Sequence, residues 1–482
     1  PSSAQCCPPS PMAFCASAPP FCSLIGAHRW TSPSKASPRP CFRPHIRCAA
    51  QTPPRRSANY QPSSWSDEYI QSLRNDTKVE EDNATRMGKL TEDVKQLIYM
   101  KKGIEDQLQL IDHLQQLGVA YHFKEDIKDA LGTIYGSVEK VNMLLKDNLH
   151  ATALMFRLLR EHGFDVSEEG VFYRFMDEKG NLKASLRHQT EGLVSLYEAS
   201  HLAKEGEHVL EEATNFTTKQ LKSLMEGSLE PHLREHVAHA LELQLNWRMP
   251  RLQTRWFIEA SQWEAKMNPV LLELAKLDFN RVQIIYQREL REVSRWWSNL
   301  GLAQRLPFSR DRLMENYFWT VGWAFEPQFA RIREAQTKAN CLITTIDDVY
   351  DVYGTIDELE LFTDAVDKYM KICFLALFNS TNDTAYNVMK EKGLDIIPHW
   401  ADLCKAYMVE ARWYHQGYTP NLEEYLENAL VSISGLLILT LAYCTSDDLT
   451  QEALDDFQSC PEIARWSSMV FRLCDDLGTS TV

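Results

Sequence analysis

No aspartate or glutamate occurs before Asp67 in this 482-residue chain, and no apolar run reaches the length of a bilayer span. The longest such run, residues 429–444, is broken by Ser432, Ser434, Gly435 and Thr440, so it reads as a buried helix and not as a membrane segment. A net charge of −15 without any basic domain sets nucleic acid aside as a partner. Asn-Gly and Asp-Gly dipeptides are absent and no sustained period-two alternation appears, which argues against hairpins and sheets. The six cysteines after residue 54 (Cys341, Cys373, Cys404, Cys444, Cys460, Cys474) form no CxxC pair. Neither a zinc ribbon nor a disulfide framework is indicated, and they read as small buried hydrophobes in a reducing compartment.

What is present divides in two. Residues 1–54 hold 12 of the 21 prolines, six of the 12 cysteines and five basic residues (Arg29, Lys35, Arg39, Arg43, Arg47) against no acid. That Ser-rich, acid-free composition matches an organellar transit peptide, with a generic disordered tail as the alternative. From Asp67 onward the chain reads as helix after helix. Leu110, Ile111, Leu114 and Leu117 fall on one stripe, and Pro269 stands where a first-turn proline belongs. The expected class is all-α, with a helical domain over 55–250 and a second over 251–482, Pro250 marking the division.

The most informative stretch is Asp347-Asp348-Val-Tyr-Asp351. It ends an apolar helix, with Gly354 as the stop. Three carboxylates at the negative end of a buried helix repel one another, and a hard cation bound through oxygen offsets that cost. A second helix closes in the same way at Asp475-Asp476-Leu-Gly478-Thr479. Two acidic ends facing across one cavity suit several divalent ions around a polyanion; a solvated acidic terminus is the alternative for each. Arg310 and Arg312 supply guanidinium groups that match phosphate oxygens bidentately, or are ordinary surface charge. His232, His236 and His239 share a helical face, but their polar neighbours favour an exposed surface helix over a zinc site.

These residues resemble the motifs of class I terpene synthases. Asp347, Asp348 and Asp351 form a DDxxD motif; Asp475 and Thr479 match the start of the second metal motif; Arg310 and Arg312 fall at the RxR pair. Arg55-Arg56, eight residues and Trp65 resemble the RRx8W motif of plant monoterpene synthases. Segments 109–123, 156–163, 410–415 and 418–428 are also family-like.

The resemblance implies an N-terminal α-helical barrel and a C-terminal catalytic bundle. It implies a prenyl diphosphate substrate, geranyl diphosphate given the leader and the Arg pair, ionised with Mg²⁺ or Mn²⁺. Three ions are held by Asp347, Asp348, Asp351, Asp475 and Thr479. Arg310, Asp347 and Asp351 serve substrate binding, and Arg312 completes the catalytic pair. Arg55, Arg56 and Trp65 cap the site and favour a cyclic product. An allylic cation needs an aromatic-lined pocket; Trp319 and Tyr443 are the candidates, with core packing as the alternative for each. The expected setting is the plastid stroma, the expected state a monomer.

Three departures qualify that picture. The Glu expected four residues past Thr479 falls immediately after Val482. Family members continue beyond this point, so the chain reads as C-terminally truncated. Segment 364–370 joins two family-like blocks without the Arg-Trp-Asp stretch between them. The alternative function is therefore a catalytically incompetent family member acting as a non-enzymatic binding protein. A chain-elongating prenyltransferase would need a second DDxxD, and a class II cyclase a DxDD; neither is present.

Overall fold

The computed structural model describes residues 55–73, 77–100, 103–262, 267–369, 397–446, 450, 452 and 461–479. The leader-like segment, Cys373, Cys460 and Met370 lie outside the described residues. Among those described there is no strand, only an isolated antiparallel bridge between Met176 and Leu182. The all-α expectation holds.

The organising element is the 32-residue helix Pro269–Leu300. Its start follows the sequence signal: the Asn268 side chain accepts the Val270 N–H at 2.9 Å, and Pro269 takes the first helical position, where its missing N–H costs nothing. It stops at Gly301, whose φ of 67° is a left-handed conformation that glycine adopts without strain. Its buried positions recur at helical spacing along one face. Leu271, Leu274 and Ala275 enter one hydrophobic core, whereas Val282, Tyr286, Leu290, Val293 and Trp297 enter another. The change of core thus falls inside this helix. Phe257 and Ile258, after Pro250, still belong to the first core.

That first core is built by helices such as Thr77–Met100, Ile104–Gln116 and Leu149–Glu161, the last packing on Thr190–Ser200 and that in turn on His208–Glu226. Leu110, Ile111, Leu114 and Leu117 are all buried in it. Helix Pro231–Glu242 carries the three histidines. His239 stacks on Trp256 with ring centroids 3.6 Å apart and hydrogen-bonds Gln253 at 2.9 Å, and His236 meets Trp256 edge-on. Two of the three imidazoles are thus half-buried packing groups; His232 is exposed.

A buried acid beside this core sets a pH dependence. Glu198 accepts the Leu245 N–H at 2.7 Å, with Arg248 3.6 Å away. Burial raises its carboxyl to about 7 despite those two partners. The folded chain then keeps a proton that the unfolded chain releases near 4.5. This contribution to stability is full below that value and is lost as pH rises through 7. Glu198→Gln is expected to remove roughly 2–3 kcal/mol of that decline. Thermal melts of both proteins from pH 5 to 8 check it, and parallel curves would sink the assignment.

The second core gathers helices Leu313–Trp323, Ala330–Asp348, Ile356–Tyr369, Ile397–Gln416 and Gly435–Thr445 around the far half of the long helix. The N-terminal strap joins it too. Ile70 is a member of this core, the Ser294 hydroxyl donates to Asp67 at 2.5 Å, and the Gln71 amide donates to the Arg291 carbonyl at 3.0 Å. Residues 422–445 are long and apolar enough to cross a membrane by composition, with 56% of the most apolar window buried. The structure divides them into Leu422–Ser432 and Gly435–Thr445 at Ser434, whose φ is 63°. A Cβ at Gly435 would lie 2.3 Å from the Ser468 Oγ, so only glycine lets helix Pro461–Thr479 pass so close.

Cys341, Cys404 and Cys444 are buried as small hydrophobes, but Cys474 is exposed. It shares the outward side of helix Pro461–Thr479 with Leu473 and Leu477, so apolar character alone misplaces it.

Candidate active site

Helix Ala330–Asp348 is buried on nearly every side, including Gln336, Thr337, Asn340 and Thr345. Several of their polar groups are met internally: the Gln336 amide N–H donates to the Ile438 carbonyl at 2.6 Å, though its Oε1 has no partner among the described residues, and the Thr345 hydroxyl donates to its own helix at Cys341. After Asp348 the helix widens into a π turn over Val349–Tyr353, closed by the Gly354 N–H on the Val349 carbonyl at 2.8 Å. A side chain at Gly354 would run into Leu359, so the stop read from the sequence is a steric requirement.

The three aspartates of this end have different surroundings. Asp348 is fully buried and accepts the Arg310 N–H at 2.6 Å and the Ser309 hydroxyl at 3.1 Å. It therefore fixes the loop that carries Arg310. The Arg310 Nε sits 2.9 Å from the other Asp348 oxygen, close enough for an ion pair but not aligned for a hydrogen bond. Asp347 is partly exposed and Asp351 exposed, and Arg310 Nη2 contacts Asp347 at 2.5 Å. Burial pushes Asp351 up to about 7, reinforced by the charges of Asp347 and Glu410. Burial also raises Asp347 against the pull of Arg310, with Asp348 and Asp475 adding to the rise.

Asp475, on the second acidic end, is thus near enough for its charge to be felt at Asp347. On helix Pro461–Thr479, Arg472 pairs with Asp475 at 2.6 Å and Asp476 at 2.5 Å. The Tyr425 hydroxyl holds Asp476 at 2.7 Å, while Thr479 turns its hydroxyl back onto the Asp475 carbonyl at 2.8 Å. Tyr425 is itself fixed by a helix start in which Asn421 and Glu424 cap one another reciprocally.

Sequence reasoning passed over Arg472 and Glu410. Arg472 lies one turn before Asp475, a spacing that could have flagged it. Glu410 accepts from Asn428 at 3.0 Å and from Ser432 at 2.6 Å, and burial raises its carboxyl while Arg472 opposes the rise. It belongs to no acidic run, so only the folded chain reveals it.

Trp319 and Tyr443 are partly exposed, at 38% and 37%. Trp319 stacks on Phe471, centroids 5.6 Å apart, and meets Trp323 edge-on, so its helix and the second acidic helix share an aromatic wall.

The strap residues lie on three elements near this cleft. Arg55 pairs with Glu358 at 2.6 Å, holding that carboxyl down at about 2, and sits over the Tyr353 ring. Arg56 lies over the Tyr414 ring at 4.4 Å. Arg312 donates to the Gln61 carbonyl at 2.6 Å, and Tyr60 covers Arg310. Trp65 packs on Tyr69 and stays half exposed.

The donor set is all oxygen: carboxylates and one hydroxyl, the ligands of a hard divalent cation. Among the described residues no three acid, histidine or cysteine side chains converge on one ion-sized point. One or two carboxylates per ion, with the rest of the shell from a bound phosphate, is the arrangement Mg²⁺ favours.

Comparison with known proteins identifies the two halves of the chain. Residues 64–241 match the terpene synthase N-terminal domain, and residues 298–482 the metal binding domain of the terpene synthase family. The chain is 58% identical over 463 residues to monoterpene synthase 7, chloroplastic, of Hedychium coronarium, covering 91% of this chain and 78% of that protein. It is 51% identical over 460 residues to alpha-thujene synthase TPS3, chloroplastic, of Litsea cubeba, covering 90% and 78%. Among solved structures, limonene synthase with 2-fluorolinalyl diphosphate matches with a TM-score of 0.80 and 45% identity over 88% of this chain and 82% of that one. Isoprene synthase from grey poplar leaves, in complex with three Mg²⁺ ions and dimethylallyl-S-thiolodiphosphate, matches with a TM-score of 0.77 and 44% identity, covering 87% and 81%.

Proposed function

The chain belongs to the terpene synthase family, and we propose that it converts geranyl diphosphate, with Mg²⁺ or Mn²⁺, into a cyclic monoterpene and diphosphate. The observation that carries this reading is that each acidic helix end has its own arginine, Arg310 on Asp347 and Arg472 on Asp475, with Asp475 near enough for its charge to reach Asp347. Asp347, Asp351, Asp475 and Thr479 would hold the divalent ions, three by expectation. When bound, those ions neutralise charge on the leaving diphosphate.

The remaining roles fall to the protein itself. The C–O bond of the substrate breaks with both electrons leaving on the diphosphate. Arg310 and Arg472 would stabilise the charge that develops there. Asp348 keeps Arg310 aimed from below. Trp319 and Phe471, with Tyr443, offer π faces to the allylic cation, and the strap bearing Arg55, Arg56 and Trp65 shields the cleft from water. The names of the monoterpene and alpha-thujene synthases support the substrate class, and their chloroplastic designation supports a plastid setting; within it the stroma is the compartment we propose.

The test is direct. The purified chain, confirmed helical by circular dichroism, is given geranyl diphosphate with and without Mg²⁺. Diphosphate release and volatile products are then followed by gas chromatography–mass spectrometry. Metal-dependent cyclic monoterpenes are the expected result. A folded chain that releases no diphosphate would overturn the reading in favour of a non-enzymatic binding protein.

A further inference from the structure

The two arginines of the 310–312 pair do different things in this fold. Arg312 donates to the Asp311 carbonyl at 2.9 Å and to the Gln61 carbonyl of the strap at 2.6 Å. The residue before Gln61 is Tyr60, whose ring lies 5.0 Å from the Arg310 guanidinium carbon. Arg310 is held on its other sides by Asp348, through its backbone N–H, and by Asp347, through Nη2.

We propose that Tyr60 is a positioning residue that orients the Arg310 guanidinium toward the diphosphate through the face of its ring, with Arg312 fixing Tyr60 by anchoring Gln61. This rests on the reading above that the cleft takes a diphosphate. If Asp347 is drawn to a cation, the Nη2 partner of Arg310 is lost. Asp348 then fixes the base of the side chain, and the Tyr60 ring remains to limit where the planar group swings. A neutral aromatic face suits that task, because a carboxylate there would compete with the phosphate oxygens for the same N–H groups. The strap thereby acts on the chemistry through one side chain, and not only as a cover.

The experiment measures binding of inorganic diphosphate in the presence of Mg²⁺ by isothermal titration calorimetry, so it does not depend on turnover. Tyr60→Leu is expected to weaken binding about 5- to 10-fold, within the range of a partly desolvated cation–π contact. Tyr60→Phe keeps the ring and is expected to stay within about twofold of the parent, the rescue a purely steric strap would not need. In an Arg310→Gln background, Tyr60→Leu is expected to add less than about twofold, because its partner is gone. Thermal melts identify any variant that fails to fold. Parent-like binding by Tyr60→Leu, or an undiminished effect without Arg310, overturns the inference while leaving the proposed function intact. Tyr60→Phe being as weak as Tyr60→Leu overturns it in favour of the hydroxyl. A parent that binds no diphosphate brings down both.

Discussion

Asp347→Asn is expected to lower Mg²⁺-dependent diphosphate release about 10²- to 10³-fold while leaving the chain folded. The size follows from removing one preorganised electrostatic group aimed at a site of developing charge. Folding is expected to survive because Asp347 is partly open to the cleft, and its hydrogen-bond partner Arg310 keeps Asp348. Asp348 supplies the contrast. Its carboxylate is fully buried beneath the Arg310 loop, so Asp348→Ala leaves the Arg310 N–H and the Ser309 hydroxyl without an acceptor and is expected to cost stability first, about 1–3 kcal/mol. Single-turnover assays with circular dichroism on both variants separate the two effects. Activity of Asp347→Asn within tenfold of the parent would remove Asp347 from the metal and substrate site.

The second large effect lies away from the chemistry. Arg333→Met is expected to destabilise the second core by about 3–5 kcal/mol. Arg333 is completely buried and binds Glu289 through Nε at 2.8 Å and Nη2 at 2.7 Å. It also donates to the Ala324 and Glu326 carbonyls at 2.7 and 2.6 Å, and the Tyr317 hydroxyl donates to Glu289 at 2.8 Å. One guanidinium thus joins the long helix, the end of helix Leu313–Trp323 and the start of the helix bearing Asp347. Removing it takes the counter-charge from Glu289, which keeps the Tyr317 hydroxyl, and the donor from three carbonyls, those of Ala324, Glu326 and Pro327. The double variant Glu289→Met/Arg333→Met is expected to recover part of the loss, since no unpaired charge remains. Urea titrations followed by tryptophan fluorescence measure both; a single variant within about 1 kcal/mol of the parent would contradict the account.

The chemistry was legible along the chain because its residue types are costly where they stand. Aspartates closing an apolar helix repel each other and oppose the helix dipole, so the runs at Asp347 and Asp475 announce a cation from the order of residues alone. The helical class was equally plain, since stripes such as Leu110–Ile111–Leu114–Leu117 need only local periodicity, and Pro269 and Gly354 punctuate by local sterics.

Other features depend on neighbours distant in sequence, which no spacing encodes. Asp348 could not be told from Asp347 in the string, yet burial gives one to the Arg310 loop and the other to the cleft. Glu410 and Arg472 become part of the site only because helices Ile397–Gln416 and Pro461–Thr479 converge on it. Arg312 looks identical in kind to Arg310 until the strap backbone takes its hydrogen bond. Between its two cores the buried face of the long helix holds Asp278, bonded to Tyr121 and His122, but a lone aspartate on a helix does not by itself announce burial or a change of core. By itself the sequence determined the secondary structure class and the acidic ends, through local sterics and uncompensated charge, and it carried the family through the likeness of its motifs. The tertiary structure alone decided which carboxylate is buried, which arginine meets the cleft and where the cores divide, because burial and pairing are properties of what folds against a residue.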